Sequence, residues 1–136
     1  MFKKTISFLM AMFISVVACN AFNDNLELLD GDFGYILNEA NRTAIIKTIY
    51  ISNNEKKDLV VPKYVSFHSH NHLVVGILEN AIRSKVHRIK SFLAREDFMN
   101  SPQNFHALTW LVIFNIPIIS VSPASLIRRR DKWKVV

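Results

Sequence analysis

Asp30-Gly31-Asp32-Phe33-Gly34-Tyr35-Ile36-Leu37, followed after a polar turn by Thr43-Ala44-Ile45-Ile46, is the stretch on which the fold turns. Phe33, Tyr35 and Leu37 alternate with Asp32, Gly34 and Ile36, the period of two of a half-buried strand. Asn38 to Arg42 supplies turn chemistry, and Thr43 to Ile51 is rich in β-branched residues, so the two segments form a predicted hairpin.

Working outward, Ser52 to Asp58 is a polar loop, and Leu59-Val60-Val61 starts a strand halted by Pro62, which donates no ladder hydrogen bond. A second hairpin pairs Tyr64 to Phe67 with Leu73 to Ile77 across a His-rich tip. For Arg83 to Phe98 two readings stand side by side. Ala81, Ile82, Val86, Ile89, Phe92 and Leu93 recur at helical spacing, whereas Ile89 to Leu93 also suits a strand. The apolar run Leu108 to Val121 is interrupted by Asn115 and Pro117 and is too short to span a bilayer. It is expected to be a buried strand pair belonging to the core.

Asp30 to Leu37, Thr43 to Ile46, Leu59-Val60-Val61-Pro62 and Val74 to Ile82 fall in an order that resembles BspA-like leucine-rich-repeat proteins of bacterial cell surfaces. The resemblance implies N-terminal β-hairpins followed by a short, irregular solenoid of repeats of about 23 residues, each a strand and a turn into a helix-like segment. Val75 to Ile82 looks like the first such turn, with Leu78 where Gly is usual and Ile82 where Phe is usual. On this template Met99 to Phe105 is a second turn, Leu108 to Ile113 a strand, and Trp133 to Val136 the start of the next strand, 23 residues after Trp110. The resemblance covers 30–136 and implies a mainly β (α+β) fold and a non-enzymatic interaction module. Its partner would be a protein or glycan at the cell surface, or another copy through self-association at the C-terminal edge. The same sequence is also compatible with a shortened repeat subunit that needs a partner to cover its open end, and an apolar patch around Trp110, Phe114 and Trp133 would mark that case.

The first 21 residues read as an export signal: Lys3 and Lys4, an apolar stretch from Ile6 to Val17, then small residues. A membrane-crossing helix needs about 20 apolar residues, more than this stretch contains. Val16-Val17-Ala18-Cys19 resembles the lipobox of bacterial lipoproteins, which makes Cys19 the lipid-attachment site and the lipid the link to an outer or surface membrane. Cleavage after Ala18 or Ala21 without lipid is the other reading and gives a secreted protein. Residues 22–29 are then a tether and 30–136 a single domain. Cys19 is the one cysteine, so no internal disulfide can form. Removing the leader takes Lys3 and Lys4 and no acid, leaving about +4 of the formal +6. That balance, with basic residues gathered only in Arg128 to Lys134, argues against nucleic acid. The basic run suits a solvated end of the chain or a salt-screened contact with an acidic partner.

His68, His70 and His72 are the one constellation with chemical reach. On an extended strand they share a face and three imidazoles could hold Zn²⁺ or Cu²⁺, which would make this an exported metal-binding protein. At a hairpin tip they are simply solvated. His87 and His106 are isolated. Gly31, Gly34 and Gly76 form no phosphate loop, no Ser or Cys sits in a nucleophile's context, and no paired carboxylates are recognisable. No cofactor and no enzymatic activity are therefore expected.

Overall fold

The computed structural model describes residues 26–52, 54–129 and 132–135, so the leader with Cys19 lies outside the described residues. Strands β1 (Leu26–Asp30), β2 (Phe33–Asn38) and β3 (Thr43–Ile49) form an antiparallel meander. Asp30 pairs with Phe33, so Gly31-Asp32 is a two-residue loop whose first corner, at φ +62°, suits a residue without Cβ. At the second turn the Asn38 side chain accepts hydrogen bonds from the N–H groups of Ala40 and Asn41 at 3.0 and 3.3 Å. Phe33, Tyr35 and Leu37 are buried, and Ala44, Ile46 and Ile49 continue their surface.

The next strands are β4 (Lys57–Val60), β5 (Tyr64–Phe67) and β6 (His70–Ile77). β5 and β6 form a hairpin turning at His68 and Ser69, both at positive φ. β6 runs parallel to β3, with Thr43 opposite Leu73 and Ile46 opposite Ile77, giving the sheet order β1-β2-β3-β6-β5. β4 instead pairs in parallel with β7 (Ile89–Arg95), which pairs in parallel with β8 (Ile118–Val121). The chain therefore passes from one sheet to the other and back, since parallel neighbours require long crossovers. Short helices α1 (Glu79–Arg83) and α2 (Glu96–Met99) and the longer α3 (Phe105–Ile113) lie on those crossovers. Leu59, Ile46, Val74, Ile82, Phe92, Phe98 and Leu111 join in one buried cluster fed by both sheets and the helices. A hairpin of β9 (Leu126–Arg129) and β10 (Lys132–Val135) forms a separate two-stranded sheet.

The fold is mainly β with N-terminal hairpins, as expected; one open choice is settled and three segments differ. Leu26 to Leu29, expected in the tether, belong to β1 because Leu26 and Leu28 pack against the core. Within 83–98, where helix and strand stood side by side, the strand prevails: Phe92 and Ala94 are buried on alternate positions of β7, and Ile89 is buried at its start. Leu108 to Ile113 is helical, and much of the run to Val121 is exposed instead of core, as described below. Trp133 to Val135 does form a strand, but it pairs antiparallel with β9 and not with β8.

Polar side chains complete the sheet where strands stop. Beyond Leu73 no described strand flanks β6 on its β5 side, and Asn104, fully buried, takes that place. Its Oδ1 accepts from the N–H of Ile77 at 3.0 Å, and its Nδ2 donates to the carbonyls of Val75 and Phe98 at 3.1 and 2.9 Å. Gln103 donates to Val75 as well, at 2.7 Å. A Cβ on Gly76 would stand 3.4 Å from the Asn104 oxygen and 3.3 Å from the Gln103 amide, so glycine there is what lets the amides approach. Arg95, 2% exposed, donates to the carbonyls of Val74 and Lys63 and to the Asp97 carboxylate. Partial burial raises the Asp97 pKa, but the hydrogen bond and charge of Arg95, with two backbone N–H donors, outweigh it and hold the carboxyl below its ordinary value.

Asn104→Ala leaves an N–H and two carbonyls without that partner, and each buried loss costs about 1–3 kcal/mol. Denaturant unfolding is expected to show a loss on the order of 3 kcal/mol, against a far smaller loss for Gln103→Ala, whose side chain is exposed. Because the folded pKa of Asp97 lies below the unfolded one, its contribution is present above about pH 4 and is lost as pH falls through the folded value. An acid titration of stability should be flatter in that window for Asp97→Asn.

Candidate interaction surface

α3 forms because its buried positions recur at helical spacing: Ala107 and Leu111 face the core, with Leu108 and Trp110 packed beside them. Pro102 opens the 3₁₀ turn that leads into it. The helix ends in a Schellman motif. Asn115 takes φ +57°, its N–H bonds the Val112 carbonyl at 3.1 Å, and the Ile116 N–H bonds the Leu111 carbonyl at 2.9 Å. Ile116 is buried, as is Leu111, and Pro117 follows, so the chain cannot continue the helix. Trp110 Nε1 donates to Glu79 at 2.9 Å and ties α3 to α1.

The outer side of this helix is apolar too. Phe105 is 68% exposed, Val112 64% and Ile113 61%, with Phe114 at 49% beyond the C-terminus. Only His106 and Thr109 interrupt this apolar outer side, and large apolar residues so exposed on a helix are ordinarily covered. Phe105, Leu108 and Val112 also line a groove of about 330 Å³ with Met99 and Pro102. Past Pro117, Ile118 and Ile119 of β8 are 39% and 46% exposed, and no described strand pairs the outer edge of β8. On the helix, Phe105 and Val112 share one side with Ile113 next to it, whereas Ile118 and Ile119, neighbours on a strand, point to opposite faces of β8. Residues 98–127 contain no Asp, Glu, Lys or Arg, in a chain of which 21% is charged.

The three histidines do not converge. His68 sits in the left-handed corner of the β5–β6 turn, stacked on Phe67 with ring centroids 4.0 Å apart. His70 is exposed. His72 is fully buried, its Nδ1 3.2 Å from the His70 carbonyl of the same strand and its Nε2 2.7 Å from Glu39 Oε1, the contact that holds β6 to the β2–β3 turn. Among the described residues no group of three His, Cys, Asp or Glu side chains is placed to hold a metal ion. The strand reading placed the three on one face, and the turn at His68-Ser69 breaks that alternation. His87 and His106 are exposed. Trp110 and Phe114, foreseen as marks of an open end, lie 6.3 Å apart between ring centroids. Trp133 belongs to the separate C-terminal hairpin. No described helix is long and apolar enough to cross a membrane.

No protein-family model, no curated protein and no solved structure matches the chain.

The left-handed corner at Asn115 fixes how the exposed face of α3 is presented. Asn115→Val, a β-branched residue at positive φ, is expected to cost about 1–2 kcal/mol, whereas Asn115→Gly should be neutral or slightly stabilising. Thermal unfolding of the two variants separates these outcomes.

Proposed function

We propose that this protein is an exported, non-enzymatic interaction module of the BspA-like leucine-rich-repeat type, which works by pairing with a second copy of itself through the α3–β8 surface. The observation that carries the proposal is the exposed, charge-free apolar surface of α3 and β8. A standard interface buries about 800 Å² on each partner, and the exposed Phe105, Val112 and Ile113 supply an apolar centre for one. A chain of formal charge about +4 after loss of the leader is mildly repelled by its own copies, but residues 98–127 add nothing to that repulsion. An acidic or basic partner, in contrast, finds no charge there to pair with. The edge of β8 lacks the Lys and inward charges that discourage strand pairing, so two copies can join edge to edge about a two-fold axis.

The repeat reading is supported by strands at Leu59–Val60 and Val74–Ile77 and by parallel pairing in both sheets, although the paired segments are about 30 residues apart and not 23. α1 follows β6 as the strand-to-helix turn of such a repeat would. Export rests on the leader, and Cys19 is the proposed anchor. A surface protein or glycan bound at the same face is the competing occupant.

Sedimentation over about 1–100 µM should show a monomer–dimer equilibrium, and Ile113→Lys combined with Val112→Lys should weaken it at least tenfold without unfolding the chain. A monomer at all these concentrations rejects self-pairing. Intact mass of membrane and soluble fractions from an expressing bacterium tests export separately: a chain starting at acylated Cys19 supports the tether, and one starting at Phe22 without lipid supports secretion.

A further inference from the structure

On another part of the molecule a cleft of about 340 Å³ lies between the β1–β2 turn, β4 and the C-terminal hairpin. Its walls carry opposite charges. Asp30 and Asp58 line one side, Arg128 and Lys132 the other, and Trp133 with Val60 and Pro62 supply apolar surface. Lys57 is spoken for: its ammonium donates to Asp32 at 2.6 Å. That hydrogen bond raises the Lys57 pKa against an opposing effect of burial, so the pair stays internally neutralised. Asp58 accepts from Ser91 Oγ at 2.6 Å, through one oxygen only.

Tyr35 also lines this cleft. It is 1% exposed, and its hydroxyl has no hydrogen-bond partner among the described residues. Burial, reinforced by the negative field of Asp30 and Asp32, keeps the phenol protonated far above its ordinary range, so it is a neutral donor. A buried donor left unpaired costs about 1–3 kcal/mol, so an acceptor bound in the cleft beside it gains from completing it.

The geometry points to a binding site for a short peptide with free ends, its ammonium against Asp30 and Asp58, a peptide carbonyl accepting from Tyr35, and its carboxylate on Arg128 and Lys132. The guanidinium fork of Arg128 suits a carboxylate. Arg128 and Trp133 stand opposite each other in the β9–β10 register, so a side chain of the peptide can lie on the indole while its carboxylate meets the guanidinium. The volume falls at the small end of ligand sites, which suits a dipeptide. This site is independent of the α3–β8 surface.

The test uses the full chain carrying Trp110→Phe, which leaves Trp133 as the one indole of the two in the sequence. Fluorescence titration with the twenty glycyl dipeptides should give saturable binding for at least one, below about 1 mM. N-acetylating its amine or amidating its carboxylate should each weaken binding at least tenfold. Tyr35→Phe should raise the unfolding temperature of the free protein and weaken the peptide at least fivefold, a pairing of effects that a merely structural hydroxyl does not produce. Arg128→Gln should weaken the free dipeptide and leave its amide unchanged. The proposal is overturned if no dipeptide saturates by 10 mM, if blocked peptides or maltotriose bind as well as free ones, or if Tyr35→Phe lowers the unfolding temperature.

Discussion

Everything past β6 depends on how the backbone of that strand is satisfied where its partner strand ends. Three polar side chains from later in the chain, Arg95, Gln103 and Asn104, reach back to Val74, Val75 and Ile77 and bond them as a strand would. The same Asn104 holds the Phe98 carbonyl, so one amide fastens the α2 turn to the first sheet. Where a further strand would extend the sheet, the chain needs only a turn. It is then free to form α3, whose inner face closes the core over α1 and whose outer face is left in water.

The division of labour between sheets follows from this. β3 and β6 in one sheet, and β4, β7 and β8 in the other, pair in parallel, and both sheets contribute to one core. The second sheet gains a third parallel strand, while the first gains Asn104 and a helix. β1 is the outer strand at one edge of the first sheet, while β8 leaves a strand edge and α3 an apolar helix face exposed. Charge is distributed to match: ion pairs such as Lys47–Glu27 and Lys57–Asp32 lie around the N-terminal strands, and none of the four ionic residue types occurs between 98 and 127.

The strands were readable wherever one face is wet, because alternation at Phe33, Tyr35 and Leu37 distinguishes inside from outside. α3 was not, since Phe105 to Ile113 is apolar on both sides and such a run carries no period. Its termini hold the missing signal, in Pro102 before it and Asn115-Ile116-Pro117 after it. Asn104 and Arg95 escaped notice for a different reason: buried polar residues look like surface residues in a sequence, and what marks them is the backbone they serve. The histidines failed on geometry, since the spacing at 68, 70 and 72 assumes a strand where the chain makes a two-residue turn. The cleft beside Tyr35 joins residues from both ends of the domain, and no local pattern brings Asp30 next to Arg128.

Parallel pairing also sets the order in which this molecule can assemble. The β1–β2–β3 meander closes over loops of a few residues, but Lys57 meets Ile89 and Phe92 meets Ile118 only after long intervening segments have been ordered. Such contacts are slow, and the loop-closure entropy is lost before they return any stabilisation. The meander is therefore the natural nucleus, and β8 the last strand to arrive and the first to leave. Amide protons at that outer strand should exchange through small openings while those of β2 and β3 wait for global unfolding, so the molecule loosens progressively from its C-terminal edge.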